Sequence, residues 1–166
     1  MLSCTVQSQK TKCERRLIAL NDIVISREGL SRILRLEVRV SGEKITGFRG
    51  DGMIVATPTG STAYSLSAGG AVVHPKLEAI LLTPICPHAS ALRPMVVSAD
   101  EKISVRIQGG GPDLAKALLT ADGQENMEID DSFSMEITRA NTPLKLVKSS
   151  KRSYFATLGE NFKFPA

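Results

Sequence analysis

The chain has 166 residues, 42% apolar and 23% charged, which is the size and balance of one globular domain and excludes a disordered or fibrous chain. Lys and Arg exceed Asp and Glu by 21 − 17, a net charge of +4, and five Phe and two Tyr are the only aromatics beside two His. That mild surplus with so few stacking rings argues against a single-strand nucleic-acid binder. No apolar run approaches membrane-spanning length and no leader-like segment opens the chain, so neither a membrane partner nor export is expected.

In chain order, residues 1–10 are polar and strand-like. A strand is predicted from Leu17 to Ser26, interrupted by the polar pair Asn21-Asp22. Leu34, Leu36, Val38 and Val40 alternate with Arg35, Glu37 and Arg39, the period of two of a half-buried strand. Ser41-Gly42-Glu43-Lys44 reads as a hairpin turn into Ile45–Phe48. Further strands are expected at Gly52–Thr57, Ile80–Ile85 and Met95–Ser98. Alternation predicts two more at Ile103–Ile107 and Phe133–Thr138, with Gly109-Gly110-Gly111-Pro112 as a loop between them, and a last strand is placed at Leu144–Lys148. One short helix is expected from Thr62 to Ala68, reached through Pro58-Thr59-Gly60-Ser61 and ended by Gly69-Gly70. Many short strands with one helix predict a mainly β, sandwich-like or barrel domain.

Cys4, Cys13 and Cys86 form neither an even disulfide framework nor a C-x-x-C pair, and a reducing cytoplasm fits them. Cys86-Pro87-His88 is the one Cys/His proximity, too few ligands for a zinc site, and reads as a half-buried thiol beside a loop histidine. His74 and His88 each adjoin a proline and read as structural. The acid pairs Asp100-Glu101 and Asp130-Asp131 read as turn residues, so no metal site is expected. The chain contains no G-x-x-x-x-G-K-[ST] loop, no G-x-G-x-x-G turn after a strand, and no G-x-S-x-G elbow.

Two stretches stand out. From Arg49 to Ser67 runs a charged turn, an apolar strand, a Pro/Gly turn and a helix start crowded with hydroxyls. Unpaired N–H groups at a helix start suit an acceptor-rich ligand; the alternative is that Ser61 caps the helix and Thr59 finishes a turn. At Asn21-Asp22 an amide beside a carboxylate suits a ribose diol or a base edge; the alternative is a bulge or a strand-end turn.

Ala19-Leu20-Asn21-Asp22, Gly50-Asp51-Gly52 and Thr57-Pro58-Thr59-Gly60-Ser61-Thr62-Ala63-Tyr64-Ser65 together resemble the C-terminal domain of NAD kinases. Gly69-Gly70, His74-Pro75, Thr83-Pro84-Ile85-Cys86-Pro87-His88, Arg93-Pro94 and the tail Ser153–Leu158 follow in the family's order, so the resemblance spans nearly the whole chain. It implies the β domain of an enzyme that moves the terminal phosphoryl group of ATP or polyphosphate to the 2′-hydroxyl of the adenosine ribose of NAD, giving NADP. It further implies that residues 1–166 are the NAD-binding domain alone. The α/β domain whose G-G-D-G aspartate activates the hydroxyl is not in this sequence, so the isolated chain should be inactive. No catalytic residue is therefore assigned here, and Mg2+ would enter with ATP.

On the substrate side, the resemblance places Asn21 and Asp22 against the adenosine half of NAD. Arg32 falls at a binding position before the next strand. Arg49 and Asp51 approach the dinucleotide, the acid often supplied by a neighbouring subunit. Thr62, Ala63, Tyr64, Ser65, Leu66 and Ser67 line the pocket, and Gln124 sits in a late turn that closes it. Ala56 and Asp22 depart from the commoner Ser and Glu; the shorter acid retunes ribose contacts. A homodimer or homotetramer, with no nucleic-acid or membrane partner, is implied. The alternatives are a non-catalytic nucleotide-binding or interaction module derived from such a kinase and, more remotely, a related diacylglycerol-type lipid kinase.

Overall fold

The computed structural model describes residues 1–10, 14–29, 32–89, 91–109, 116–147 and 153–162. Among the described residues, twelve strands make up the fold: β1 Leu2–Ser8, β2 Glu14–Ala19, β3 Asp22–Arg27, β4 Leu34–Val40, β5 Glu43–Gly50, β6 Gly52–Ala56, β7 Ala79–Ile85, β8 Met95–Ser98, β9 Ile103–Ile107, β10 Ala117–Ala121, β11 Glu125–Ile129 and β12 Phe133–Arg139. Two helices, α1 Tyr64–Ser67 and α2 Tyr154–Phe162, complete it, with a 3-10 turn at Thr59–Thr62 before α1.

The strands form two six-stranded sheets, ordered β2-β1-β12-β9-β4-β5 and β11-β10-β3-β6-β7-β8, in which every pairing is antiparallel. Period-two alternation decides which side chains go inside. Leu34, Leu36 and Val38 of β4, Ile103, Val105 and Ile107 of β9, and Met135 and Ile137 of β12 face Ile23 and Ile25 of β3, Met53 and Val55 of β6, and Leu119 of β10 in one core between the sheets. β6 is buried at every position. Its Ile54 and Ala56, with Val24 and Leu81, belong to a second, smaller cluster on the outer face of its sheet, covered by Val73 and Ala68. The excursion between β6 and β7 therefore lies on that outer face, and the site is built beneath it.

The mainly β sandwich-like expectation holds. Four details of it change, and β10, β11 and a second helix, α2, form where no element was expected. The strand expected over Leu17–Ser26 is two strands in different sheets, broken at Leu20-Asn21. The hairpin turn tightens to Ser41-Gly42, at φ of 47° and 88°, so that β5 already starts at Glu43. The expected helix is a 3-10 turn followed by one α turn, ended as expected at Gly69, whose φ is +86°. The strand placed at Leu144–Lys148 does not form over 144–147, which are exposed and outside both sheets, while Lys148 lies outside the described residues. Cys13 and residues 110–112 of the expected glycine loop also lie outside them. No helix among the described residues is long and apolar enough to cross a membrane.

β10 pairs with both β3 and β11, and Leu119 is fully buried at its centre. Leu119→Ala is expected to cost about 2–5 kcal/mol in denaturant unfolding. Ile18→Ala, at a side chain 41% exposed on β2, is expected to stay within about 0.5 kcal/mol of the parent. Equal midpoints for the two variants would contradict the burial of β10 in the sandwich.

Candidate functional site

Between β2 and β3 the chain leaves one sheet for the other, so the backbone groups of Leu20 and Asn21 lose their ladder partners. Buried backbone polar groups need replacements, and two distant segments supply them. From the Thr57-Pro58-Thr59-Gly60 side, the Thr57 hydroxyl donates to the Leu20 carbonyl at 2.7 Å, and the Thr57 N–H donates to the Asn21 carbonyl at 2.8 Å. The same hydroxyl accepts the Gly60 N–H at 2.9 Å. Gly60 lies so close to Asn21 that a Cβ there would stand 2.1 Å from the Asn21 carbonyl oxygen, which is why only glycine fits.

From the other side comes Asp122. Its carboxylate accepts the Leu20 and Asn21 N–H groups at 2.7 Å each and the Asp22 N–H at 3.0 Å. Its own N–H donates to the Asp22 carbonyl at 3.0 Å. Asp122, Gly123 and Gln124 form the three-residue turn between β10 and β11, with Asp122 and Gly123 at φ of 51° and 66°.

The groups fixed in this way border a cleft of about 330 Å3, lined by Asn21, Asp22, Val24, Ser26, Ala63, Tyr64, Thr120, Asp122 and Gly123. Asp22, Val24 and Ser26 share it because they alternate on the outer face of β3. Tyr64, 49% exposed, stands at the start of α1 with its ring unburied. Asp22 is only 5% exposed. Burial first, and the neighbouring Asp122 charge second, push its carboxyl up from 3.8 to about 6.

The twelve residues expected to bind ligand are sorted by the fold. Asn21, Asp22, Ala63 and Tyr64 meet at the cleft, and exposed Gln124 ends the Asp122-Gly123 turn beside it. Ser65 is fully buried, its hydroxyl 2.9 Å from that of Thr83. Thr62 and Leu66 are half-buried and Ser67 is exposed, all outside the cleft lining. The Thr62 hydroxyl reaches back to the Thr59 carbonyl at 3.4 Å.

Ser61 neither caps α1 nor faces solvent. Its hydroxyl donates toward the Pro58 and Val73 carbonyls and accepts the Val73 N–H at 3.0 Å, pinning the later part of the excursion. The hydroxyl-rich helix start is thus largely internal scaffolding.

Arg32, Arg49 and Asp51 lie elsewhere. Asp51 follows β5 and forms an ion pair with Arg27 at 2.7 Å, at the end of β3 opposite Asp22. Arg49 is exposed, and its carbonyl accepts the His88 N–H at 2.7 Å. Arg32 is exposed just before β4, whose Leu34 pairs with Gly50 at that same end.

Sequence reasoning passed over Val24, Ser26, Thr120 and Asp122 as cleft residues. The signals were alternation along β3 and an Asp-Gly turn between two apolar segments. His74 is structural as expected: its Nδ1 accepts the Lys76 N–H at 3.1 Å, and its ring packs on Tyr154 and Phe155 of α2. Among the described residues no group of three or more His, Cys, Asp and Glu side chains converges on a metal position. Both carboxylate oxygens of Asp122 are already committed to backbone. The described residues thus do not form a Mg2+ site. A second cleft of about 240 Å3 lies beyond Thr57 and Pro58, lined by Leu20, Leu77, Leu144 and the Arg139–Glu78 ion pair among others.

Because folding raises the proton affinity of Asp22, its contribution to stability is fully present below pH 3.8 and is lost as pH rises through about 6. Asp22→Asn removes the buried charge. Its stability relative to the parent is therefore expected to rise between pH 4 and 7, by at most about 3 kcal/mol. A pH-independent difference across that window, measured by denaturant unfolding, would contradict the assignment.

Residues 20–149 match the model of the ATP-NAD kinase C-terminal domain. The chain is 41% identical over 164 residues to the NAD kinase of Geotalea daltonii, covering 99% of this chain and 56% of that protein. Against the NAD kinase of Ruminiclostridium cellulolyticum it is 46% identical over 143 residues, 86% of this chain and 49% of that one. Among solved structures, yeast NADH kinase complexed with NADH superposes at a TM-score of 0.89 with 28% identity, covering 99% of this chain and 49% of the yeast chain. An NAD kinase from Archaeoglobus fulgidus in complex with ATP gives 0.67 with 33% identity, covering 86% of this chain and 53% of that chain. The chain spans about half the length of the curated relatives it matches. A corner held together by the T-P-T-G turn, within a sandwich that superposes on these kinases, places the chain in the ATP-NAD kinase C-terminal domain family.

Proposed function

We propose that these 166 residues act as the NAD-binding β domain of an NAD kinase, presenting the 2′-hydroxyl of the adenosine ribose for phosphorylation to NADP. The observation that carries this is the cleft in which Asn21, Asp22 and Tyr64 converge, in a chain of this family. The Asn21 amide offers a donor and an acceptor to a base or ribose edge. The Asp22 carboxylate accepts from a hydroxyl, and the exposed Tyr64 ring offers a stacking face worth about 1–3 kcal/mol per base. The yeast relative complexed with NADH supports a dinucleotide as the occupant.

Transfer forms a bond from the 2′-oxygen to phosphorus, breaks the donor's terminal P–O bond and moves the hydroxyl proton to a base. Such reactions depend chiefly on positioning and charge neutralisation, and the share supplied here is positioning of the acceptor. The other eight of the twelve assignments belong to the same proposal: Arg32, Arg49 and Asp51 serve a more distant part of the dinucleotide, while Thr62, Ser65, Leu66, Ser67 and Gln124 support or close the cleft. The donor is ATP or polyphosphate, with Mg2+ accompanying ATP. Assembly as a homodimer or homotetramer in the cytoplasm completes the proposal, and the exposed Met95 and Val96 on edge strand β8 favour self-association. A non-catalytic nucleotide-binding module is the second reading. It is favoured by the commitment of Asp122 to backbone N–H groups, which leaves Asp22 as the cleft's one uncommitted acid.

Calorimetry of residues 1–166 with NAD tests the proposal. The parent is expected to bind, and Tyr64→Ala and Asn21→Ala are each expected to weaken binding about tenfold while melting within a few degrees of the parent. Unchanged affinity in both variants would contradict the cleft assignment. NADP formation by residues 1–166 at enzyme-like rates with ATP would contradict a binding-only share for this part.

A further inference from the structure

We propose that Asp122 is a positioning residue of the cleft: by holding the backbone of Leu20, Asn21 and Asp22 it presents the Asn21 and Asp22 side chains to the dinucleotide in one arrangement. This rests on the NAD-binding reading of the cleft. Three consecutive N–H groups converge on one carboxylate, at 2.7, 2.7 and 3.0 Å. Charge-assisted bonds of this kind are roughly twice as strong as neutral ones. A fourth bond returns from the Asp122 N–H to the Asp22 carbonyl. The left-handed conformations of Asp122 and Gly123 aim the carboxylate, so the arrangement is fixed by the β10–β11 hairpin and not by the corner's own sequence.

Asp122 also sets the electrostatics of its neighbour. The ionisable side chains lining the cleft are Asp22 from β3, Tyr64 from α1 and Asp122 from the β10–β11 turn, so Asp122 is the charge that burial leaves facing Asp22. Its presence raises the proton affinity of Asp22 and makes that carboxylate a stronger acceptor for a ribose hydroxyl. Asp122 itself is spent on backbone and is not a ligand contact. A side chain that merely stapled the fold would leave the charge state of Asp22 and the affinity for NAD unaltered in a folded variant.

The test compares the parent with Asp122→Asn, which tolerates the left-handed turn but loses the charge and one acceptor oxygen, and with Asp122→Ala. In the ligand-free proteins, NMR reads the amide shifts of residues 20–22 and the titration midpoint of the Asp22 carboxyl; calorimetry then reads NAD affinity. Positioning predicts displaced amide shifts and a lowered Asp22 midpoint in both variants. It also predicts NAD binding weakened about tenfold in Asp122→Asn and further in Asp122→Ala. Unmoved amides and midpoint overturn the proposal whether or not NAD binds, as does unchanged affinity in both variants of a parent that binds. Displaced amides in the variants of a parent that binds no NAD overturn the dinucleotide reading and, with it, positioning for that ligand.

Discussion

The chain must change sheets between Ala19 and Asp22, and doing so strips two residues of backbone of their ladder hydrogen bonds inside a half-buried corner. β2 belongs to one sheet and β3 to the other, so neither ladder reaches Leu20 or Asn21. An unpaired buried peptide group costs about 1–3 kcal/mol. The corner therefore depends on bonds brought in from Thr57 and from Asp122, about forty and one hundred residues away in sequence as the numbering gives them. Gly60 completes the arrangement by letting the excursion after β6 approach the Asn21 backbone directly. Three segments far apart in the chain are thus locked to one another at the point where the sheets exchange a strand.

Fold and site share the same bonds. The strict demands at the corner explain why the Thr57-Pro58-Thr59-Gly60-Ser61 string is so particular: Thr57 donates and accepts within the corner, Gly60 clears it, and Ser61 ties down Val73. Farther on, Ser65 and Thr83 bond in the buried layer under Gly70, where a Cβ would stand 2.3 Å from the Ser65 hydroxyl. Only Ala63 and Tyr64 of this segment are left to the cleft. What reads in the sequence as a row of ligand-binding hydroxyls is mostly the frame that holds one tyrosine and one amide–carboxylate pair in place.

Much of this was legible beforehand. β4, β9 and β12 announce themselves by alternation, with Arg35, Glu37 and Arg39 marking the solvent side of β4, and the Asn21-Asp22 interruption marks a candidate site in the sequence itself. β10 and β11 were not foreseen, because Ala117–Ala121 and Glu125–Ile129 are written largely in Ala, Leu, Glu and Met, which carry no local preference for strand; pairing with β3 overrides composition there. Leu144–Val147 failed in the opposite sense: its apolar alternation has no neighbouring strand to pair with, and its side chains stay exposed. Asp122 is not legible as a site residue because its role lies in bonds to residues about one hundred positions away, while its local signal is that of an ordinary Asp-Gly turn.

The central claim is that the corner between β2 and β3 and the start of α1 together hold the adenosine side of a dinucleotide. A crystal structure of residues 1–166 grown with NAD tests it most directly. The account predicts adenosine density in the cleft bounded by Asn21, Asp22, Tyr64 and Thr120, with the Asp122 carboxylate still on the three backbone N–H groups. Density confined to the neighbouring cleft between Pro58, Leu77 and Arg139 would contradict it.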